Sequence, residues 1–403
     1  MKRVLIFSLT YHPFVGGAEV AIKEITDRID PSEYSFDMIT LRFDSNLPRV
    51  EKFGNVTVHR IGFSSPGAKI SDRSMPLLCK IAKVLFPLTS SLKAASLSRA
   101  HRFDLIWAMM ANQAGFGALF FKLANPKLPY FLELQDGRAF QEMKTRRPIL
   151  RPLWNFYRDI YLRADLIKTI SNYIANEVRG IGYKGTVEVI PNAVDVAKFT
   201  ARIPDATLHA LRTKFAKKEG DIFLFTASRL VLSRGVEDII QSLEFLPANV
   251  KLLVAGDGED KEKLEHIARG LGVEQRVIFA GHVDHKELPA YLNISDVFVR
   301  PSLIEGLGNA FLEAMAAGIP IIGTRVGGIP DFLSEGETGL FCEVRDPSSI
   351  ARAVERYLNE PALRAKIVAN AAKLAAEKYD WDTIAVDMRT KVFTTITPRS
   401  KKV

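Results

Sequence analysis

Short, continuous apolar runs recur along the chain. Most are followed by a longer stretch whose apolar positions repeat at helical spacing. In the first half the runs are Val4 to Leu9, Phe36 to Leu41, Val56 to Ile61, Asp104 to Trp107, Tyr130 to Leu134, Ala164 to Thr169 and Thr186 to Ile190. In the second half they are Ile222 to Thr226, Val250 to Ala255, Val277 to Ala280, Asp296 to Arg300 and Pro320 to Thr324. Helices are expected over Val236 to Leu246, Asp260 to Leu271, Glu287 to Asn293 and Asn309 to Ala317. Runs without polar alternation suit strands buried on both faces, and their alternation with helices implies parallel sheets. The expected fold is α/β, with two doubly wound Rossmann-like domains facing a cleft and ligands at the carboxyl ends of the strands. The turn Pro191-Asn192-Ala193-Val194-Asp195 sets the boundary, giving domains at 1–195 and 196–375. Residues 196–220 read as a connecting helix.

Composition narrows the classes. The 403 residues are 47% hydrophobic and 25% charged, as in an ordinary globular protein. Two distant cysteines, Cys79 and Cys342, argue against a disulfide framework and fit a reducing compartment. The opening MKRVLIFSLT has a short apolar core followed by Tyr11-His12-Pro13, and reads as a buried strand rather than a signal peptide.

Charge is uneven. Residues 1–190 hold 27 Lys and Arg against 17 Asp and Glu, a net +10; the remainder holds 28 against 29, a net −1. Arg73 to Phe103 has no acidic residue, and its Lys80, Lys83, Lys93 and Arg99 are interleaved with Leu77, Ile81, Val84, Leu88 and Leu92. Such a helix suits an anionic membrane surface or packs on the sheet with a solvated basic face, and Pro87 is expected to kink or break it. A second basic run, Arg138 to Arg158, carries Phe140, Trp154, Phe156 and Tyr157. No nucleic-acid motif accompanies it, so nucleic acid is not expected as a partner.

The candidate chemistry lies in loops. Gly16-Gly17 opens a helix after the first strand, where backbone amides attract anions. Arg229 and Arg234 follow the strand ending at Thr226, placed to neutralise a diphosphate and the charge it gains on leaving. Glu305-Gly306-Leu307-Gly308 is a tight loop before a helix that carries Glu313. Carboxylates there accept hydrogen bonds from hydroxyls. Gly256-Asp257-Gly258 begins like a dinucleotide fingerprint, but Lys261 stands where its third glycine would be. The histidines are scattered, so no metal site is expected.

These residues together resemble the family-4 glycosyltransferases of the retaining GT-B type. The E-x7-E motif matches Glu305 and Glu313, the Arg/Lys pair matches Arg229 and Arg234, the first glycine loop matches Gly16-Gly17, and the P-N-G-V-D turn matches Pro191 to Asp195 with Ala193 in place of Gly. Tyr379-Asp380-Trp381 resembles the start of the family's last helix, which implies that 376–403 crosses back to the N-terminal domain. By resemblance, Glu313 holds the donor ribose and Glu305 the sugar hydroxyls, with the amides of Gly306, Leu307 and Gly308. Arg229, Arg234, Gly16 and Gly17 serve the diphosphate, and Gly256 and His282 lie near the nucleoside. The resemblance implies a hexose moved from a UDP- or GDP-sugar with retention, without a metal or other cofactor.

The departures are N-terminal. Where the family often has histidines, this chain has Trp107, Met109 and Gln135-Asp136. Asp136 is the expected substitute, with turn capping as the competing role. These substitutions point to an unusual acceptor rather than an inactive enzyme, and the basic N-terminal half points to a lipid-linked saccharide or polysaccharide-precursor acceptor, with the protein peripheral on the inner, cytoplasmic face of an anionic membrane. The rival readings are a GT-B epimerase or phosphorylase, and a non-catalytic sugar-nucleotide-binding protein.

Overall fold

A computed structural model describes residues 1–14, 16–68, 75–136 and 154–396. Arg73 and most of the second basic run, Arg138 to Arg151, lie outside the described residues. The chain forms two compact units: Met1–Asn192 joined by the segment beginning at Trp381, and Ala193–Asp380.

The first unit is built on strands β1 (Lys2–Phe7), β2 (Tyr34–Leu41), β3 (Val50–Phe53), β4 (Val56–Ile61), β5 (Leu105–Met109), β6 (Tyr130–Leu134), β7 (Leu166–Thr169) and β8 (Thr186–Val189). Their order is β3-β4-β2-β1-β5-β6-β7-β8. Every pairing is parallel except β3 on β4. The central strands are buried, as continuous apolar runs require. The sequence pattern misses β3, a four-residue edge strand whose positions alternate between exposed and half-buried. Helix Asn172–Gly180 starts as expected, with Ser171 Oγ accepting from the Ile174 amide at 3.4 Å.

One charged pair sits inside this sheet. Glu133 on β6 and Lys168 on β7 are register partners, and both side chains are fully buried. Lys168 Nζ donates to Glu133 Oε1 at 2.6 Å and the Trp107 indole donates to Oε2 at 3.0 Å. Gln135 Nε2 also donates to Oε1, at 2.8 Å, and Gln135 Oε1 accepts from Asn192 at 2.9 Å. Trp107 and Met109 are thus core residues, and Trp107 orients a carboxylate. The C-terminal segment closes over this region: Phe393 packs on Trp107, Phe131, Tyr34 and Phe36 with ring centroids 5.5–6.0 Å apart.

The Leu77–Ala100 helix continues through Pro87, so the proline does not break it. A proline inside a helix costs about 3 kcal/mol. Here the helix is held by close packing of its small-residue face, Cys79, Ala82, Phe86, Ser90 and Ala94. Ser90 lies so near Gly117 of helix Gln113–Ala124 that a Cβ on Gly117 would stand 2.2 Å from the serine hydroxyl.

The second unit carries β9 (Ile222–Ala227), β10 (Val250–Ala255), β11 (Val277–Gly281), β12 (Val297–Arg300), β13 (Ile321–Thr324) and β14 (Leu340–Cys342). All pairings are parallel, in the order β11-β10-β9-β12-β13-β14. The chain builds outward from β9 on one side and from β12 on the other. The switch point therefore falls between these two strands, where a crevice opens at their carboxyl ends. Residues 196–220 form two helices, Val196–Thr200 and Asp205–Lys214, because Pro204 starts the second. Cys79 and Cys342 are both buried and free, one in each unit, and burial pushes both thiols up, Cys342 to about 12.

Removing one partner of a buried ion pair strands the other charge. Lys168→Met is expected to destabilise the first unit by about 3–5 kcal/mol, measured by denaturant unfolding followed through Trp107 fluorescence. The double variant Lys168→Met with Glu133→Gln should recover most of that loss.

Candidate active site

The loops after β9 and β12 meet at the switch point. Leu303 N donates to Ser233 O at 2.9 Å, joining them through the backbone. Thr324 at the end of β13 donates through Oγ1 to Ser302 O at 2.6 Å and fixes the start of the β12 loop. Gly327 then crosses beneath this loop. Its φ is +55°, and a Cβ there would lie 1.7 Å from Glu305 O. Any side chain at 327 would displace the glutamate backbone.

Glu305 is the centre of the cluster and is only 7% exposed. Its Oε2 accepts from Arg234 Nη1 at 2.7 Å and lies 2.8 Å from Arg300 Nη2, with Ser302 Oγ at 3.4 Å. Among the described residues its Oε1 accepts only from the Gly306 amide, at 3.2 Å. One oxygen is thus committed to the protein and the other keeps acceptor capacity. Two guanidinium groups share one carboxylate, leaving a surplus positive charge. The Nε–H groups of Arg234 and Arg300 are buried and have no protein acceptor among the described residues. Arg229 lies exposed in the loop after β9, and no ion pair of it is seen among the described residues.

Arg300 was not anticipated as a site residue. It is 6% exposed, and its guanidinium is held below the ordinary range by burial, which Glu305 opposes. A signal was present: a cation ends the otherwise apolar run Val297-Phe298-Val299, immediately before Pro301. Strand ends at a switch point are where such a residue acts on a ligand or its carboxylate.

Leu307 is buried and anchors the loop in the core, while Gly308 caps helix Asn309–Ala316. Glu313 lies in the second turn of that helix, and its Oε1 is 2.9 Å from His285 Nε2. His285 Nδ1 is 2.7 Å from Lys198 Nζ. His282 sits exposed on the turn after β11, so the imidazole joined to Glu313 belongs to His285, three residues on. Gly256 joins the neighbouring loops: its amide donates to Gly281 O at 2.7 Å, and at φ +142° a Cβ would stand 1.9 Å from Ser228 O. The structure therefore brings Arg234, Glu305, Gly306 and the newly found Arg300 into one cluster.

Gly16, Gly17 and Asp136 belong to the first unit. Gly16 precedes helix Gly17–Asp27, and its amide already donates to Glu19 Oε2 at 2.9 Å. Glu19 also accepts from Thr10 Oγ1. A carboxylate thus occupies part of the anion-attracting helix start. Asp136 follows β6, half-buried, beside the loop toward residue 137. Among the described residues no group of three or more His, Cys, Asp or Glu could hold a metal, and no helix is long and apolar enough to cross a membrane.

Residues 15–198 match Glycosyltransferase Family 4, and residues 209–374 match Glycosyl transferases group 1. The chain belongs to the family-4 glycosyltransferases. An uncharacterized glycosyltransferase of Methanocaldococcus jannaschii is 26% identical over 391 residues, covering 95% of this chain and 96% of that one. A GDP-mannose-dependent alpha-(1-6)-phosphatidylinositol monomannoside mannosyltransferase of Mycolicibacterium smegmatis is 30% identical over 231 residues, covering 55% of this chain and 60% of the relative. Sucrose-phosphate synthase from Thermosynechococcus elongatus superposes with a TM-score of 0.80 at 19% identity, covering 96% of this chain and 98% of that one. Anabaena HepE in complex with UDP gives 0.76 at 19% identity, covering 98% of this chain and all of that chain. These two likenesses show the fold, which is GT-B.

Arg300 acts through Glu305, so its loss should read as a positioning defect. Arg300→Met is expected to raise the donor KM by about tenfold or more, since a hydrogen bond to a charged group is worth about 1.5–3 kcal/mol. Arg300→Lys should recover part of it. Steady-state kinetics that separate KM from kcat, with thermal unfolding as a fold control, provide the check.

Proposed function

We propose that this glycosyltransferase moves a hexose from a UDP- or GDP-sugar to an acceptor hydroxyl on a lipid-linked saccharide or polysaccharide precursor, at the cytoplasmic face of a membrane, with retention of anomeric configuration and without a metal. The observation that carries the reading is the convergence of Arg234 and Arg300 on a single oxygen of Glu305 at the β9/β12 switch point.

The roles follow from charge and donor inventory. Arg229 and Arg234 neutralise the diphosphate and stabilise the charge that grows on it as the glycosidic bond breaks. Glu305, held through Oε2, offers Oε1 to the sugar hydroxyls. Gly306, Leu307 and Gly308 supply backbone amides around the same group. Glu313 exchanges the His285 contact for ribose hydroxyls, with Gly256 and His282 near the nucleoside. Gly16 and Gly17 serve the diphosphate from their helix start. The acceptor attacks from the face the leaving group departs, and the departing phosphate oxygen helps to take the hydroxyl proton. Asp136 orients the acceptor where relatives use a histidine. The mannosyltransferase named above uses a GDP-sugar and a lipid acceptor, and HepE holds UDP; both kinds of chemistry suit the cluster in this chain.

A screen of UDP-, GDP- and ADP-sugars by thermal unfolding tests the donor assignment. One nucleotide class should stabilise the protein by about 2.7 kcal/mol at a hundredfold excess over its Kd. Glu313→Ala and Arg234→Ala should each remove most of that shift. Absence of stabilisation by every sugar nucleotide, or a shift that survives both substitutions, would refute the reading.

A further inference from the structure

We propose that the Leu77–Ala100 helix docks the protein on an anionic lipid bilayer by inserting its apolar outer face among the acyl chains. The inference rests on the membrane-face reading above and names the surface that makes the contact.

The helix is inverted relative to an ordinary amphipathic helix. Its inward face is made of small or polar residues, Cys79, Ala82, Ser90 and Ala94, together with Phe86. Its large aliphatic residues point away from the unit. Leu77 is 73% exposed, Val84 72%, Leu92 70% and Leu88 57%, with Ile81 and Leu85 also exposed. At 3.6 residues per turn these six side chains fall within about 120° of arc, centred opposite the buried face. Scattered exposed leucines are normal in a soluble protein, but a continuous stripe over four turns marks an interaction surface.

The charge around the stripe selects the partner. Helical spacing places Lys80 beside the arc and Arg99 in line with it in the last turn, both exposed, while Lys83 and Lys93 turn toward the inner face. No acidic residue occurs between Arg73 and Phe103, and this half of the chain carries the whole excess of positive charge. A protein partner that covered the stripe would have to bring a matching acidic rim. A bilayer with anionic headgroups supplies both the apolar interior and the negative plane above it, at the depths that leucine and lysine reach. The helix therefore lies in the interface plane rather than across it, consistent with the absence of any spanning helix among the described residues.

This geometry divides the work between two forces. The cations draw the protein to the surface and are screened by salt. The aliphatic stripe holds it there and is not screened. Binding is therefore expected to resist salt, unlike docking by charge alone.

The test is co-sedimentation of the full chain, without donor, using vesicles of phosphatidylcholine alone or with phosphatidylglycerol. Wild type should pellet with the anionic vesicles and remain largely bound at about 1 M salt, where the Debye length is about 3 Å. The variant Ile81→Gln/Val84→Gln/Leu88→Gln should lose at least about tenfold in partitioning, because each buried methylene contributes about 0.8 kcal/mol. Its thermal midpoint and its stabilisation by donor should stay at wild-type values. Lys80→Glu/Arg99→Glu should weaken binding at low salt only. Three results would overturn the proposal: equal pelleting of the glutamine variant, complete release of wild type by salt, or a wild-type dimer in light scattering that the glutamine variant converts to monomer. Any of these with donor stabilisation intact removes the docking helix and leaves the transferase reading standing.

Discussion

The donor side of this molecule depends on the sharing of one carboxylate oxygen by two arginines. Glu305 is almost fully buried, and a buried carboxylate is tolerated only when it is paired and hydrogen-bonded. Arg234 and Arg300 supply the pairing, Ser302 and the Gly306 amide the rest. The partners come from three local structures: a loop after β9, the last residue of β12, and the β12 loop itself. The two strands must be neighbours for these groups to meet, and only the reversal of strand order between β9 and β12 makes them so. The topology of the sheet and the geometry of the carboxylate are thus one constraint seen at two scales. The close passage of Gly327 beneath Glu305 belongs to it too.

Much of this was legible in the chain. Buried parallel strands are apolar along their whole length, so the central strands of both sheets stood out. Glu305, Arg229 and Arg234 were visible because charged residues in glycine-rich or strand-end loops have few structural reasons to be there. Arg300 was hidden by its position inside an apolar run, where a terminal cation looks like a strand edge. His285 was hidden because helical and turn spacing do not reveal which of two nearby histidines faces a glutamate 28 residues later. Strands β3 and β14 were too short for their periodicity to register.

Pro87 shows a different limit. Local rules assign it a kink or a break, and the observed helix continues, with its Ser90 packed closely against Gly117 of the neighbouring helix. That close approach requires small inward residues, so the helix has little to bury on that side. Its bulky aliphatics are then left on the outer face. The same spacing of leucines reads in the sequence either as a helix for a membrane surface or as one packed on the sheet, and only the side on which the small residues lie distinguishes the two arrangements. The buried Glu133–Lys168 pair is likewise invisible in sequence, since strand pairing alone makes two distant charges neighbours.

The arginine excess around Glu305 also governs how the protein behaves toward simple ions. Two guanidinium groups share one carboxylate, so the cluster carries a surplus of positive charge that attracts compact dianions. Phosphate and sulfate buffers should act there as competitors of the donor. On the proposed reading, the nucleoside diphosphate released by transfer would keep the charge that draws it to the arginines and lose only the sugar. Turnover would then depend as much on the escape of that product as on the making of the new bond.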